Sequence, residues 1–309
     1  MKDLELLSVG AWAPFDHIFR MSRYPAEGET ICLDMDITEA QTVHFGDCAA
    51  NVAYAAARLG VHSGLASVVG GDFVSSGYLA HLQSANVNLE GLTVLENELS
   101  GHNYIFFDSN GNGFCLSHLG AAEQQEVIKV PKEVINRCKN IVINEKFCSY
   151  TLEAASIAKA GGACVYLNGM VDTAGLLAKD FLSLADVLFI NQSEFIRLCK
   201  SIGGESALFN RYGLNLVFIT MGTHGCLIRS PVGSKKIPIV KTSGVTDVTG
   251  AGDSFAAGVI SALIRQHPPL YAAKAGATVS SFVIEKWGCQ TNVPTWAEME
   301  ARMTGSFKE

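Results

Sequence analysis

The chain has no cluster of Lys or Arg. Its 23 basic residues are outnumbered by 30 acidic ones, a net charge of −7 over 309 residues, so it lacks the electrostatic footprint of a nucleic-acid binder. No apolar run approaches the roughly 20 residues of a membrane span. The longest, such as Val187–Ile190 and Leu214–Ile219, are strand-sized. The first ten residues carry acidic side chains and read as a strand, not as a signal peptide. Nine cysteines contain no C-x-x-C pair and no zinc spacing, and read as reduced core residues of a cytoplasmic protein. There is no P-loop, no G-x-G-x-x-G dinucleotide fingerprint and no H-E-x-x-H. Charged residues are scarce as well, at 17% against 48% hydrophobic, which implies a large buried core.

What is present reads as an α/β chain. Leu4–Val9 is a short strand; Asp47–Leu59 is an alanine-rich helix with Gly60 as its C-terminal cap. Ser63–Val69 reads as a strand and Phe73–Ser84 as a helix. Gly91–Leu119 alternates β-branched and aromatic residues around the turn Asp108–Gly113, as two or three antiparallel strands would. From Pro131 onward, strands near Asn140–Ile143, Ala163–Leu167, Val187–Ile190 and Leu214–Thr220 alternate with helical stretches. Helices follow at Gly252–Arg265, Leu270–Glu285 and Thr295–Arg302. Such alternation predicts a Rossmann-like, mostly parallel sheet with helices on both faces. We expect one domain over 1–309, with a small β-sheet lid from about 11–45 and 95–119. Ligands in such folds bind beyond the carboxyl ends of the strands, which singles out Asn144, Glu145, Asn168, Asn191 and Gly222.

The sharpest motif is Thr246-Asp-Val-Thr-Gly-Ala-Gly-Asp-Ser-Phe255, which runs straight into a helix. Gly250, Ala251 and Gly252 offer backbone N–H groups at a helix N-terminus, where the macrodipole favours an anion. Asp253 beside them can take a proton from a hydroxyl that attacks phosphorus. The plain alternative is a glycine-rich turn whose acid caps a helix.

This string resembles the signature D-T-x-G-A-G-D-x-F of the ribokinase-like (PfkB) carbohydrate and nucleoside kinases. Further segments fall in the family's order: Phe45-Gly-Asp-Cys-Ala-Ala-Asn-Val-Ala53 with Ala57-Arg-Leu-Gly60, Val69-Gly-Gly-Asp72…Gly77, Asn191-Gln-Ser-Glu194, and Ile219-Thr-Met-Gly-Thr-His-Gly225. The resemblance spans nearly the whole chain and implies ATP as phosphate donor with Mg²⁺. It makes Asp253 the base and the Gly250–Gly252 amides the anion cradle. Asn191 and Glu194 would hold Mg²⁺ through water, although N-Q-S-E is equally the pattern of a helix capping box. Thr220, Gly222, Thr223 and Gly225 would line the nucleotide, or simply form a hairpin turn. Asp16, Gly46 and Asn51 map to acceptor positions, with Glu145 and Asn168 over the same crevice. The second motif glycine is replaced by Asp47, either a hydroxyl acceptor or a helix cap. Asp247, Thr249 and Gly288 match positions that bind a monovalent cation in potassium-activated members.

Residues 26–57 and 59–128 contain no Lys or Arg. A phosphorylated acceptor would want a cationic partner there, so an uncharged sugar is the expected substrate, with a nucleoside as the alternative. A homodimer through the lid is expected, because sheet edges and apolar faces of this kind are commonly covered. Two other classes fit the sequence less well. A non-catalytic protein of the same fold conflicts with the intact Asp253, G-A-G and Asn191/Glu194 set, and an unrelated doubly wound cofactor protein conflicts with the missing fingerprint.

Overall fold

The computed structural model describes residues 2–109, 111 and 113–307. Its centre is an eight-stranded sheet in the order Gly233–Ile237, Cys226–Ser230, Leu216–Thr220, Val187–Asn191, Cys164–Asn168, Asn140–Asn144, Leu6–Val9, Ser63–Ala66. The last six of these are mutually parallel; the first two turn back as antiparallel neighbours. Residue alternation along the strands divides the core. Leu7, Ile141, Val165, Leu188 and Val217 point to one face, with buried residues of the helices Ser149–Ala160 and Gln192–Ile202. Leu6, Val142, Tyr166, Phe189 and Phe218 point to the other, with the helices Cys48–Arg58, Ala251–Ile264 and Pro269–Val283. A sheet buried on both faces needs apolar residues at every strand position, which is why these strands read as unbroken Val/Ile/Leu/Phe runs.

A second sheet of four strands, Val43–Phe45, Phe15–Arg20, Ser100–Phe107 and Gly113–Gly120, stands beside the first. Its strands come from the two segments that do not fit the layered pattern. Ser100–Phe107 and Gly113–Gly120 pair antiparallel, as their alternation implies, and Phe15–Arg20 joins Ser100–Phe107 in parallel. Two details differ from expectation. Ser63–Val69 is not one strand: Ser63–Ala66 ends the large sheet, while Val68–Gly70 leaves it to pair with Thr93–Leu95. The helix expected over Phe73–Ser84 is two, Asp72–Ser75 and Tyr78–Ser84, divided at Gly77 with φ +86°. The Asp108–Gly113 turn lies partly outside the described residues. Among the described residues no helix is long and apolar enough to cross a membrane.

Candidate active site

Strand register brings the site together. Asn144 and Asn168 are paired at the carboxyl ends of neighbouring strands, as are Asn191 and Thr220. Over this edge the helix Ala251–Ile264 begins. Gly250 precedes it with φ +71°, and a Cβ there would lie 2.7 Å from Cys289 Cβ, so only glycine makes this turn. Asp253, in the first helical turn, is buried. Its Oδ2 accepts from Asn51 Nδ2 at 3.0 Å and its Oδ1 from Asn168 Nδ2 at 3.0 Å. Asn168 Nδ2 also donates to Asn144 Oδ1 at 2.9 Å, and Asn144 Nδ2 to Ser8 Oγ at 3.0 Å. Burial pushes the Asp253 carboxyl above the usual range, opposed by donors from Asn51, Cys48 and Asn168. The carboxylate is thus aimed by two amides and made more basic by its surroundings.

The neighbouring amides are less uniform than the motif suggests. Ala251 N donates to Val248 O at 3.2 Å and Ser254 N to Gly250 O at 2.9 Å. Gly252 and Asp253, in the first helical turn, have no preceding turn to bond and are left as donors.

The acceptor wall is acidic. Asp16 is buried, accepting from Asn103 Nδ2 at 2.8 Å and from the Cys289 thiol at 3.5 Å; burial pushes it up to about 7. Gly46 lies against it, and a Cβ at Gly46 would fall 2.1 Å from Asp16 Oδ2. Asp47 serves as a helix cap. With φ +74° it caps the helix Cys48–Arg58, accepting from Ala49 N at 2.9 Å, Ala50 N at 3.3 Å and Trp12 N at 2.8 Å. Three backbone donors hold it, yet burial still lifts it to about 6. Glu145 follows its strand with φ +38°, and is pushed up to about 8 by burial first, then by Asp47 and Asp253. The nearest cations in sequence are engaged elsewhere. Arg20 donates to Thr246 O and stacks on Trp287, Arg23 pairs with Glu29, Arg58 donates to Val293 O, and Lys146 donates to Ala122 O.

The nucleotide half is open. Asn191 and Glu194 form a reciprocal capping box: Glu194 N donates to Asn191 Oδ1 at 2.9 Å, and Asn191 N to Glu194 Oε2 at 3.0 Å. Glu194 Oε1 is outside that box, so the pair fits Mg²⁺ held through water. Among the described residues no group of three His, Cys, Asp or Glu could hold a metal ion alone. Gly222 and Thr223 are exposed in a short turn after Thr220, and Gly225 closes it. Asp247, Thr249 and Gly288 are brought together, but by hydrogen bonds. Asp247 Oδ1 accepts from Thr249 N and Oγ1 at 2.9 and 2.6 Å, and Oδ2 from Gly288 N at 2.9 Å.

Several site residues carried no signal in the sequence. Gln290, Tyr78, Cys48, Cys289 and Asn103 all reach the acceptor wall or Asp253's partners. Only the turn-rich string Gly288-Cys-Gln-Thr-Asn292, beside the singled-out Gly288, hints at Gln290 and Cys289.

Comparison with known proteins agrees with this geometry. The model of the pfkB family carbohydrate kinases matches residues 30–296. Over 305 residues the chain is 28% identical to a nucleoside kinase of Methanocaldococcus jannaschii, with 97% of each covered. It is 27% identical over 300 residues to a ribokinase of Staphylococcus aureus, with 92% of this chain and 95% of that protein covered. The crystal structure of the M. jannaschii nucleoside kinase, an archaeal member of the ribokinase family, superposes with a TM-score of 0.85 at 28% identity over 99% of both chains. The chain therefore belongs to the pfkB family of carbohydrate kinases, and it is a phosphotransferase that acts on a sugar or a nucleoside.

Proposed function

We propose that this kinase transfers the γ-phosphate of ATP to a hydroxyl of an uncharged ribosyl compound, with Asp253 as general base. One observation carries the reading: a buried carboxylate in the first turn of a helix, held at each oxygen by an asparagine amide. Its raised proton affinity suits it to take the proton of the attacking hydroxyl. The Gly252 and Asp253 amides, with the helix dipole, meet charge developing on the transferring phosphoryl group. Mg²⁺, when bound, neutralises triphosphate charge; Asn191 and Glu194 would hold it through water, and Thr220, Gly222, Thr223 and Gly225 would line the nucleotide. Asp16, Gly46, Asn51, Glu145 and Asn168 would face the acceptor, whereas Asp47 and Asn144 shape the wall behind it.

An acidic wall whose neighbouring cations are engaged elsewhere supports an uncharged acceptor. A phosphate dianion would face Asp16 and Glu145 with no cationic partner, and an unpaired buried anion is costly. Between the two uncharged classes, the nucleoside is favoured over the free sugar by the name of the M. jannaschii relative, matched end to end. The test is ADP release with ATP and Mg²⁺ against a panel of sugars, nucleosides and their monophosphates. A nucleoside should exceed its monophosphate at least tenfold in kcat/KM, about 1.4 kcal/mol. A sugar phosphate as best substrate overturns the charge argument.

The four-stranded sheet supports a lid that also mediates dimerisation. Its outward face carries Tyr104, Phe114 and Leu116, all exposed. A second copy covering that face predicts a dimer at micromolar concentration, and light scattering that gives a monomer defeats it.

A further inference from the structure

Asp253 is not held by Asn51 alone. Asn51 Oδ1 accepts from Gln290 Nε2 at 3.0 Å, and Gln290 Oε1 lies 3.1 Å from His81 Nε2. Gln290 Nε2 spends its second hydrogen on Tyr78 Oη at 2.5 Å, and Tyr78 Oη donates in turn to Gly46 O at 2.6 Å. Gln290, Asn51 and Tyr78 are all buried.

Donor and acceptor roles along this chain follow from one end. An ionised Asp253 only accepts, so Asn51 must turn its Nδ2 toward it and leave its Oδ1 facing Gln290. Gln290 must then present Nε2 to Asn51 and Oε1 to His81, which must carry its proton on Nε2. Every hydrogen bond from His81 to Asp253 therefore points its donor at the carboxylate. Without the Gln290 amide, only the carboxylate itself would hold Asn51 in this orientation, and the Asn51 Oδ1 would lose its donor.

We propose that Gln290 is a positioning residue, which acts through Asn51 to keep a hydrogen-bond donor on the catalytic carboxylate. The proposal rests on Asp253 as base, and its test separates the two. In the full-length protein, Gln290→Met removes the donor at nearly constant shape. Gln290→Glu keeps the shape but, when ionised, can only accept, which draws the Asn51 Nδ2 away from Asp253. With the best acceptor from the panel above, kcat should fall about 5- to 20-fold for Gln290→Met and further for Gln290→Glu, while KM for ATP stays within twofold. The decisive measurement is a double-mutant cycle. The side-chain amide introduced by Asp253→Asn can both donate and accept, so Asn51 may face it either way. Adding Gln290→Met to Asp253→Asn should then slow the residual rate no further. A role in packing alone would lower Tm and leave kcat of the folded enzyme unchanged, or give the same fold-loss in both backgrounds; either result overturns the proposal. If Asp253→Asn itself keeps normal turnover, the assignment of the base fails instead.

Discussion

The two halves of the crevice are built on different principles. On the acceptor side, groups far apart in sequence converge: Asn51 on Asp253, Asn168 on Asp253, Gln290 on Asn51, Cys289 on Asp16. All are buried, and the carboxylates there are pushed upward. On the nucleotide side the contacts are local and half-exposed. A capping box spans four residues, two strand ends lie in register, and one short turn joins the second of them to the next strand. Where the acceptor is proposed to bind, folding must be complete before the site exists; where the nucleotide is proposed to bind, a capping box and a short turn supply much of the surface.

Removing chemistry from the buried half should have the largest effect. Asp253→Asn keeps the shape and both amide contacts within reach but loses the base. Its kcat should fall by roughly 10²–10⁴ while ATP binding, measured by calorimetry, stays nearly intact. Near-normal turnover would take Asp253 out of the mechanism and erase the distinction between the halves.

Adding a single methyl group to each half sharpens the same contrast. At Gly46 the new Cβ would fall 2.1 Å from Asp16 Oδ2, and at Gly225, with φ +85°, 2.1 Å from Ile237 O. Gly46→Ala must displace an acceptor-wall carboxylate, so kcat/KM for the acceptor should drop at least tenfold, about 1.4 kcal/mol, with KM for ATP little changed. Gly225→Ala strains a backbone turn at a sheet edge, and its cost should appear first in Tm. Equal effects of both on the two substrates would mean that the halves are not independent.

The contrast also explains how legible the molecule was. The layered sheet, the helix after Gly250–Gly252 and the Asn191/Glu194 pair were readable because each is a local pattern: buried runs, a glycine turn, a capping spacing. Asp47 could be read in two ways; its Oδ1 caps the helix through Ala49 N and Ala50 N, while its Oδ2 is held by Trp12 N, a partner no local window contains. Gln290 could not be read, since its meaning lies in Asn51, on the far side of the chain. Ser63–Val69 looked like one strand because both of its halves are apolar and buried. That Val68–Gly70 leaves for Thr93–Leu95 depends on a partner no local window contains.

The acidic wall should also cost stability, with a definite sign. Glu145 titrates near 8 in the fold against an ordinary 4.5. Between those values the native state keeps a proton that the unfolded chain has released, so stability falls as pH rises through this window. Glu145→Gln removes that contribution. Its Tm advantage over wild type should be absent near pH 4.5 and reach at least about 2–4 °C above pH 8. A constant offset across the range would mean that the carboxyl is not held protonated.

The smallest effect is expected in the nucleotide half, where the cap made by one side chain can be separated from its proposed hold on Mg²⁺. Glu194 completes a capping box through one oxygen and leaves the other open. Glutamine also completes such a box, since it too accepts from the first backbone N–H. Glu194→Gln should therefore leave Tm within about 1 °C, yet weaken the hold on Mg²⁺-bound water and raise KM for Mg·ATP about 3- to 10-fold, worth roughly 0.7–1.4 kcal/mol. Glu194→Ala loses the cap as well, at a cost of about 1 kcal/mol in stability. If the glutamine variant matches wild type in KM while the alanine variant loses only stability, Glu194 is a helix cap and nothing more, and the metal is held by the triphosphate and Asn191.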